Sequence, residues 1–412
     1  MQSQRPRKPK LPITLPFPAN RVMQPEGMKY ALPPLAASES VGVAFSGDPS
    51  CDEIAEMVVD TLGRENVKVA PLKDGDTAAL DHETLLLVGS GRAFPLLAEL
   101  LKSRGRRRPR TVLWHLQPLP PPVLTHRAGQ LGERLLAARW EDLLGHWASG
   151  LSRFIPARGR VRHVFQRLLA VPVREEFERF GGAEYGNVGW DDLCTIFEEA
   201  AWLNEAFGEE EPWVDLVACS TPTRAAFLRQ CGIPASFIPL GFHTAWGEMP
   251  EAERDLDVLF VGTLHSPSRR SLVPEVLQQL RDWGYQTLEV DLFSCPHQRK
   301  KLLQRARVVL NVLRFPWEFP GPRLFASAAC GALCVSNEAV QNEPFQPGLH
   351  FIKAPRARMA ESISWYLTHE EERRHRAVRA LQSFTTDFPL SVSLQKLLDP
   401  APRPIAALSR AA

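Results

Sequence analysis

Short apolar segments, separated by polar or glycine-containing turns, recur along most of the chain and predict alternating strands and helices. Strands are predicted at 41–45, 67–70, 85–88, 111–116, 213–219, 236–240, 257–262, 286–292, 308–313 and 332–335. Apolar positions at three- and four-residue spacing predict helices at 51–62, 131–146, 191–207, 222–230, 272–283, 302–306, 324–329 and 393–398. Because strands alternate with helices, the pattern predicts an α/β protein built on doubly wound parallel sheets.

Length and composition leave room for two such domains, since the chain has 412 residues and 44% hydrophobic content. We expect an N-terminal domain over 38–245 with a helical insertion, a C-terminal domain over 255–390, and a helix and tail over 391–412. Residues 1–37 are basic and proline-rich without periodicity, which predicts a flexible leader. A solvated tail is favoured there over contact with nucleic acid or acidic lipid.

Net charge excludes little, whereas the cysteine pattern and the lengths of the apolar runs are more informative. A net charge of +2 does not indicate a nucleic-acid partner. No apolar run reaches the roughly 18 to 20 residues that cross a bilayer, so we expect a cytoplasmic protein, with peripheral membrane contact left open. Seven cysteines without paired spacing predict neither a disulfide framework nor a zinc site. We expect Cys330 and Cys334 to be small buried side chains.

Residues 322–352 join a helix start, a glycine stop, a short strand and a polar loop. Arg323 follows a Pro-Gly-Pro turn and opens the helix, and Gly331 ends it. Ligands of open α/β sheets lie at the carboxyl ends of strands, and helix starts attract anions. The stretch therefore predicts a site for a diphosphate group, with an ordinary helix-to-strand turn as the alternative.

A second strand-to-helix unit lies earlier in the chain than residues 322–352. The strand at 257–262 ends in Gly262, which lets a ligand approach the backbone closely. Arg269 and Arg270 follow at the next helix start, where they can neutralise phosphate charge. The alternative is a common Ser-Pro turn with exposed arginines.

These segments resemble the nucleotide-binding domain of the CgeB-like (spore maturation protein) branch of the bacterial group 1 glycosyltransferases. Those enzymes have two Rossmann-like domains facing across a cleft, the GT-B arrangement. The residues that fit the family pattern are Arg323, Phe325, Ala328, Cys330, Gly331, Phe345, Pro347 and Gly348. The family's acidic residue after Phe325, which holds the donor ribose, is Ala326 here, and Glu338 is its possible substitute.

The resemblance implies a glycosyltransferase, of hexosyltransferase type, that uses a nucleotide-diphosphate sugar as donor. The acceptor is an unidentified glycan, protein or small molecule. Donor contacts are expected from Gly262, Thr263, His265, Arg269, Arg270, Arg323, Phe325, Ser327 and Glu338. Because cationic groups and helix dipoles stabilise the leaving group, we expect neither an essential metal nor a cofactor. Candidates for the catalytic base, on loops near the cleft, are Asp48, His115 and His243.

Two other classes of function remain open. Ala326 favours a non-catalytic protein that binds a nucleotide sugar or a glycan on a transferase scaffold. The alternation of strands and helices also occurs in nucleotide-binding oxidoreductases, but the chain lacks their Gly-x-Gly-x-x-Gly turn. A hydrolase is disfavoured because no Gly-x-Ser-x-Gly elbow occurs.

Overall fold

The computed structural model describes residues 40–122, 171, 173–179, 182–186, 188–208, 212–251, 253–291, 295–339 and 341–399. The predicted leader over 1–37 and the predicted helix at 131–146 lie outside these residues. So does the tail beyond 399.

The first sheet has six parallel strands within the described part of the chain, in the order β2-β1-β3-β4-β5-β6. Its strands are β1 (Ser40–Ala44), β2 (Lys68–Leu72), β3 (Thr84–Gly89), β4 (Arg110–His115), β5 (Leu216–Cys219) and β6 (Ala235–Phe237). The accompanying helices are α1 (Pro49–Arg64), α2 (Pro95–Arg104), α3 (Ala183–Gly186), α4 (Trp190–Gly208) and α5 (Pro222–Gln230). Every residue of β3 is buried, as expected for a strand covered on both faces.

The second sheet is also parallel and has the order β11-β10-β9-β7-β8. Its strands are β7 (Leu256–Val261), β8 (Thr287–Val290), β9 (Ala306–Asn311), β10 (Leu333–Ser336) and β11 (Ile352–Lys353). Its helices are α6 (Pro267–Asp282), α7 (Pro296–Arg305), α8 (Pro322–Ala329), α9 (Met359–Thr368) and α10 (Glu370–Asp387), followed by α11 (Leu390–Leu398). The predicted α/β class with two parallel sheets is therefore confirmed.

Each sheet has a switch point, where the strand order reverses. In the first sheet it lies between β1 and β3, and in the second between β7 and β9. Chain segments leave these two neighbouring strands towards opposite faces, which opens a crevice at the carboxyl ends of the strands. The two crevices are the places where the fold itself favours ligand binding.

The two sheets share one hydrophobic core at their junction. This core includes Val58 of α1, Phe242 of the linker between the sheets (residues 241–254), Phe325 of α8 and Leu394 of α11. The amide of Phe242 donates to the carbonyl of Phe388 at 2.6 Å. The last helix therefore packs back on the first domain.

Several local predictions need correction. Helices α2, α9 and α10 and strand β11 were not predicted, and the helix predicted at 302–306 is α7, which begins at Pro296 and ends at Arg305. The strand predicted at 236–240 ends at Phe237. The strand predicted at 213–219 begins only at Leu216. The basic run at 104–110 leads into the first sheet, because Arg110 opens β4 and its guanidinium donates to the Asp399 carbonyl at 2.9 Å. This contact depends on the return of α11, which local sequence does not reveal.

Candidate functional site

Polar side chains gather at the switch point of the second sheet. We define the strand-end site by five residues: Gly262, Arg269, Asn311, Arg314 and Arg323. Gly262 follows β7, Asn311 ends β9, and the arginines lie at the starts of α6 and α8 and in the loop after β9. Three cationic groups thus converge where parallel strands end and helices begin.

Arg323 occupies the centre of this site. Its guanidinium donates to the carbonyl of Val261 at 3.0 Å and to Oδ1 of Asn311. It also lies 5.7 Å from the centre of the Phe260 ring. A Cβ atom at position 262 would come within 2.9 Å of an Arg323 nitrogen, and Gly262 has a positive φ of 148°. The absence of a side chain at Gly262 therefore leaves room for the Arg323 guanidinium directly beside the backbone at the strand end.

Arg269 and Arg314 complete the cationic group. Nε of Arg269 donates to the Val312 carbonyl at 2.8 Å. Nε of Arg314 donates to Asp192 Oδ1 at 2.7 Å, and Asp192 belongs to α4 of the first domain. Asp192, a carboxylate from across the domain junction, therefore offsets part of the positive charge of Arg314 and Arg269.

The pKa values of two of these arginines are lowered. Burial lowers the pKa of Arg323 to about 10. Burial also lowers the pKa of Arg269 well below its usual value, and the neighbouring charges of Arg323 and Arg314 act in the same direction. A bound anion would relieve both effects, because it restores favourable interactions to the charged form.

The loop between β9 and α8, residues 312–321, bridges the two domains. Glu318 of this loop accepts from Arg224 of α5 through both oxygens, at 2.8 and 2.6 Å, and both side chains are buried. Glu318 also accepts from the amide of Leu119 at 3.1 Å, and Trp317 Nε1 donates to the Leu119 carbonyl at 2.9 Å. The carboxyl ends of both sheets therefore face each other.

His115 lies at the matching edge of the first sheet. It ends β4, is fully buried, and its Nε2 lies 3.0 Å from Oε1 of Glu199. Ser90 Oγ lies 2.9 and 2.8 Å from the two oxygens of the same carboxylate. Burial opposes ionisation of Glu199, but His115, Ser90 and Arg92 together lower its pKa. Within the described residues, Nδ1 of His115 has no hydrogen-bond partner.

Asp48 and His243, the other two candidates for the catalytic base, make hydrogen bonds that stabilise the local fold. Asp48 caps α1, because its Oδ1 accepts from the amides of Ser50 and Cys51 at 2.8 and 3.2 Å. His243 Nε2 lies 2.8 Å from Oδ2 of Asp60, and its Nδ1 accepts from the Ala245 amide. Burial lowers the pKa of His243 despite the nearby carboxylate. Nε2 of His243 thus ties this segment to α1, while Nδ1 caps the short turn that follows it.

The remaining predicted donor contacts are dispersed. Phe325 is fully buried among aromatic rings, 4.9 Å from Phe384 and 6.1 Å from Phe242. Ser327 is buried and donates to the Arg323 carbonyl within α8. Phe325 and Ser327 therefore have the surroundings of core side chains, whereas the sequence predicted that they contact the nucleotide.

Three predicted residues lie on the surface near the strand ends. Arg270 is exposed and donates to the carbonyl of His265 at 3.1 Å, and the His265 side chain is exposed as well. Glu338 is exposed beyond β10, 3.8 Å from Lys353. Thr263 is half-buried, with its carbonyl 3.5 Å from Arg269 Nη1. Ala326 itself is 1% exposed within the shared core.

Several residues of the sites were missed from the sequence. Asn311 and Arg314 had a local signal, since a polar residue ends a buried strand and a basic residue follows it, at the edge where ligands bind. No local signal marked Asp192, Glu199 or Glu318, because their partners lie on distant elements.

The described residues include no helix that is long and apolar enough to cross a membrane. Among the same residues, no cluster of three or more His, Cys, Asp or Glu side chains is placed to hold a metal ion. Cys330 and Cys334 are buried, as predicted, and burial raises the pKa of Cys334 to about 12.

Sequence and structure comparisons bear on the second domain most directly. Residues 255–399 match the model of a family described as glycosyl transferase-like. No curated protein sequence matches the chain. The CgeB-like branch stays a prediction.

Solved structures with a similar fold include Anabaena HepE in complex with UDP and glucose, with a TM-score of 0.46 and 12% identity over 87% of this chain and 98% of that chain. WaaG, a glycosyltransferase involved in lipopolysaccharide biosynthesis, has a TM-score of 0.45 and 11% identity over 87% and 98%. Sucrose-phosphate synthase from Thermosynechococcus elongatus has a TM-score of 0.44 and 10% identity over 87% and 97%. The second sheet, with its strand-end site, thus lies in a segment that matches a glycosyl transferase-like family.

Proposed function

We propose that this protein is a glycosyltransferase that takes a sugar from a nucleotide-diphosphate sugar. The observation that carries the proposal is the convergence of Arg269, Arg314 and Arg323 at the switch point of the second sheet. The family match covers the same segment. Guanidinium groups match phosphate oxygens in geometry and charge, so the site suits a diphosphate.

The diphosphate is the leaving group of the proposed reaction. As the bond between the anomeric carbon and the phosphate oxygen breaks, negative charge accumulates on the diphosphate. Fixed guanidinium groups at the strand ends stabilise this charge without reorganising. We propose that they do so without an essential metal, and that no further cofactor takes part.

The acceptor side of the proposed reaction lies at the first sheet. Glu199 holds His115 at the carboxyl edge of the first sheet. Nδ1 of His115, which has no partner among the described residues, is the candidate contact for an acceptor hydroxyl. Because His115 is fully buried, an acceptor reaches it only if neighbouring residues move. The acceptor, a glycan, protein or small molecule, is left unassigned.

Calorimetric titration of the protein with UDP, GDP and dTDP tests the proposal, first in EDTA and then with magnesium. We expect saturable binding of at least one nucleotide in EDTA, and release of its sugar when the conjugate is supplied with an acceptor mixture. Absence of binding by the folded protein would contradict the proposal. Binding without turnover of any conjugate would favour the non-catalytic alternative, which the buried Ala326 motivates.

A further inference from the structure

A second cationic cavity lies at the opposite edge of the second sheet. Arg254 precedes β7, Arg307 is near the start of β9, and Gly331 precedes β10, so these residues mark the amino ends of the strands. The cavity has a volume of about 300 Å³ and is also lined by Met249 of the linker and Arg373 of α10. It is therefore separate from the strand-end site, which lies at the carboxyl ends.

Positive charge dominates this cavity. Its lining includes four arginines, Arg254, Arg307, Arg373 and Arg374, and two glutamates, Glu253 and Glu370. Glu370 contacts Arg374 and lies 3.6 Å from Arg373. Arg307 lies 3.1 Å from Asp257, outside the lining. The lining therefore has an excess of guanidinium groups over carboxylates.

Arg373 is the buried cation of the cavity. It is 1% exposed, and its Nε has no hydrogen-bond partner within the part of the chain that the structure describes. One terminal nitrogen donates to the carbonyl of Arg307 at 3.3 Å. A buried guanidinium with an unused donor is costly unless a ligand satisfies it.

Arg254 has a different environment. Its guanidinium donates to the carbonyls of Ala306 and Cys330, at the ends of α7 and α8. Burial, and then the charge of Arg373, lower the pKa of Arg254 to about 10, and Arg374 and Arg307 act in the same direction. The repulsion between these arginines would fall if an anion entered the cavity.

We propose that this cavity is a second anion site, which binds a small phosphorylated molecule. A phosphate group offers compact double charge and several acceptor oxygens, which match forked guanidinium donors better than a carboxylate does. The volume of about 300 Å³ fits a small molecule rather than a polymer segment. None of the residues that line this cavity belongs to the strand-end site.

Hydrogen–deuterium exchange of the full chain, with inorganic pyrophosphate as probe, tests the proposal. We expect slower exchange in peptides spanning 248–256 and 370–378. Peptides spanning 262–270 and 311–323 report the strand-end site separately, so failure at one site is distinguishable from failure at the other. Citrate serves as a carboxylate probe, and we expect it to protect the cavity peptides at least tenfold less effectively.

Two variants and a control sharpen the result. Arg374→Glu changes an exposed side chain at the rim and should raise the pyrophosphate concentration for half-protection at least tenfold. Arg373→Gln should act in the same direction at the buried position. Arg379→Ala, on α10 but outside the lining, should leave the protection unchanged. Absence of protection at the cavity peptides, an unchanged midpoint in Arg374→Glu, or equal protection by citrate would overturn the proposal.

Discussion

Arg323 combines a structural and a proposed ligand-binding role in one side chain. Its guanidinium joins the ends of β7 and β9 through Val261 and Asn311, and it faces the space beside Gly262. A hydrogen-bonded cation that is already fixed in place costs little further entropy when a diphosphate arrives. The same rigidity means that its loss affects both binding and local stability.

Arg323→Ala should weaken binding of the nucleotide diphosphate by about 1.5 to 3 kcal/mol, the usual value of a hydrogen bond to a charged group. This corresponds to a roughly 10- to 150-fold higher Kd, measured by calorimetry. Arg281→Ala is the matched control, because Arg281 is an exposed residue at the far end of α6 that contacts Thr287. An unchanged Kd in a folded Arg323→Ala protein would contradict the role.

His350 predicts a pH dependence of stability. Its Nε2 lies 2.9 Å from Ser383 Oγ, its ring stacks on Phe384 at 4.8 Å, and burial lowers its pKa to about 4. The unfolded state, with a pKa of about 6.5, binds the proton first as the pH falls. The free energy of unfolding should therefore decrease between pH 6.5 and about 4, by up to about 3 kcal/mol from this residue.

Urea unfolding at pH 7.5, 5.5 and 4.5 measures this effect. His350→Gln should flatten the decrease at low pH, whereas His375→Gln, at an exposed position of the same domain, should not. Parallel pH profiles for wild type and His350→Gln would show that another group controls the acid sensitivity.

Among the elements, α8 links the strand-end site to the anion cavity. Its first turn carries Arg323, and Gly331 follows its last turn with a positive φ of 65°. A Cβ atom at position 331 would lie 2.4 Å from Sδ of Met249 and 2.8 Å from a nitrogen of Arg254. Both the backbone conformation and the close approach of the linker therefore require glycine.

Gly331→Ala should lower the free energy of unfolding by about 2 to 4 kcal/mol, from backbone strain and overpacking together. Gly348→Ala is the control, because its φ is 82° but no atom lies within 4 Å of the added methyl group. It should cost only about 1 to 2 kcal/mol. Equal losses in the two variants would show that the contact with Met249 and Arg254 contributes nothing.

At the scale of the whole molecule, the buried pair of Arg224 and Glu318 holds the two domains together. The pair connects α5 with the loop at 312–321, and Glu318 also anchors the backbone at Leu119. Charge attraction to Glu318 overcomes the effect of burial and raises the pKa of Arg224. A buried charge that loses its partner is strongly unfavourable, even where the pair itself adds little net stability.

Glu318→Leu should therefore lower the free energy of unfolding by about 3 to 5 kcal/mol, because it leaves Arg224 buried and uncompensated. The double variant Arg224→Met/Glu318→Leu should recover most of this loss. Urea unfolding of the two single variants and the double variant, as a double-mutant cycle, measures the coupling. Additive losses would argue against direct coupling across the junction.

The sequence by itself determined the alternation of strands and helices, because hydrophobic periodicity and turn residues act over a few positions. It also located Gly262, Arg269 and Arg323 at strand ends, since strand order alone places such residues at a ligand edge. The tertiary structure decided which distant groups meet there. Arg314 pairs with Asp192 across 122 positions, His243 with Asp60 across 183, and Arg224 with Glu318 across 94. Phe325 fits the family motif, yet the return of α10 and α11 encloses it in the shared core. Such pairings depend on how two domains pack, and no local pattern encodes that packing.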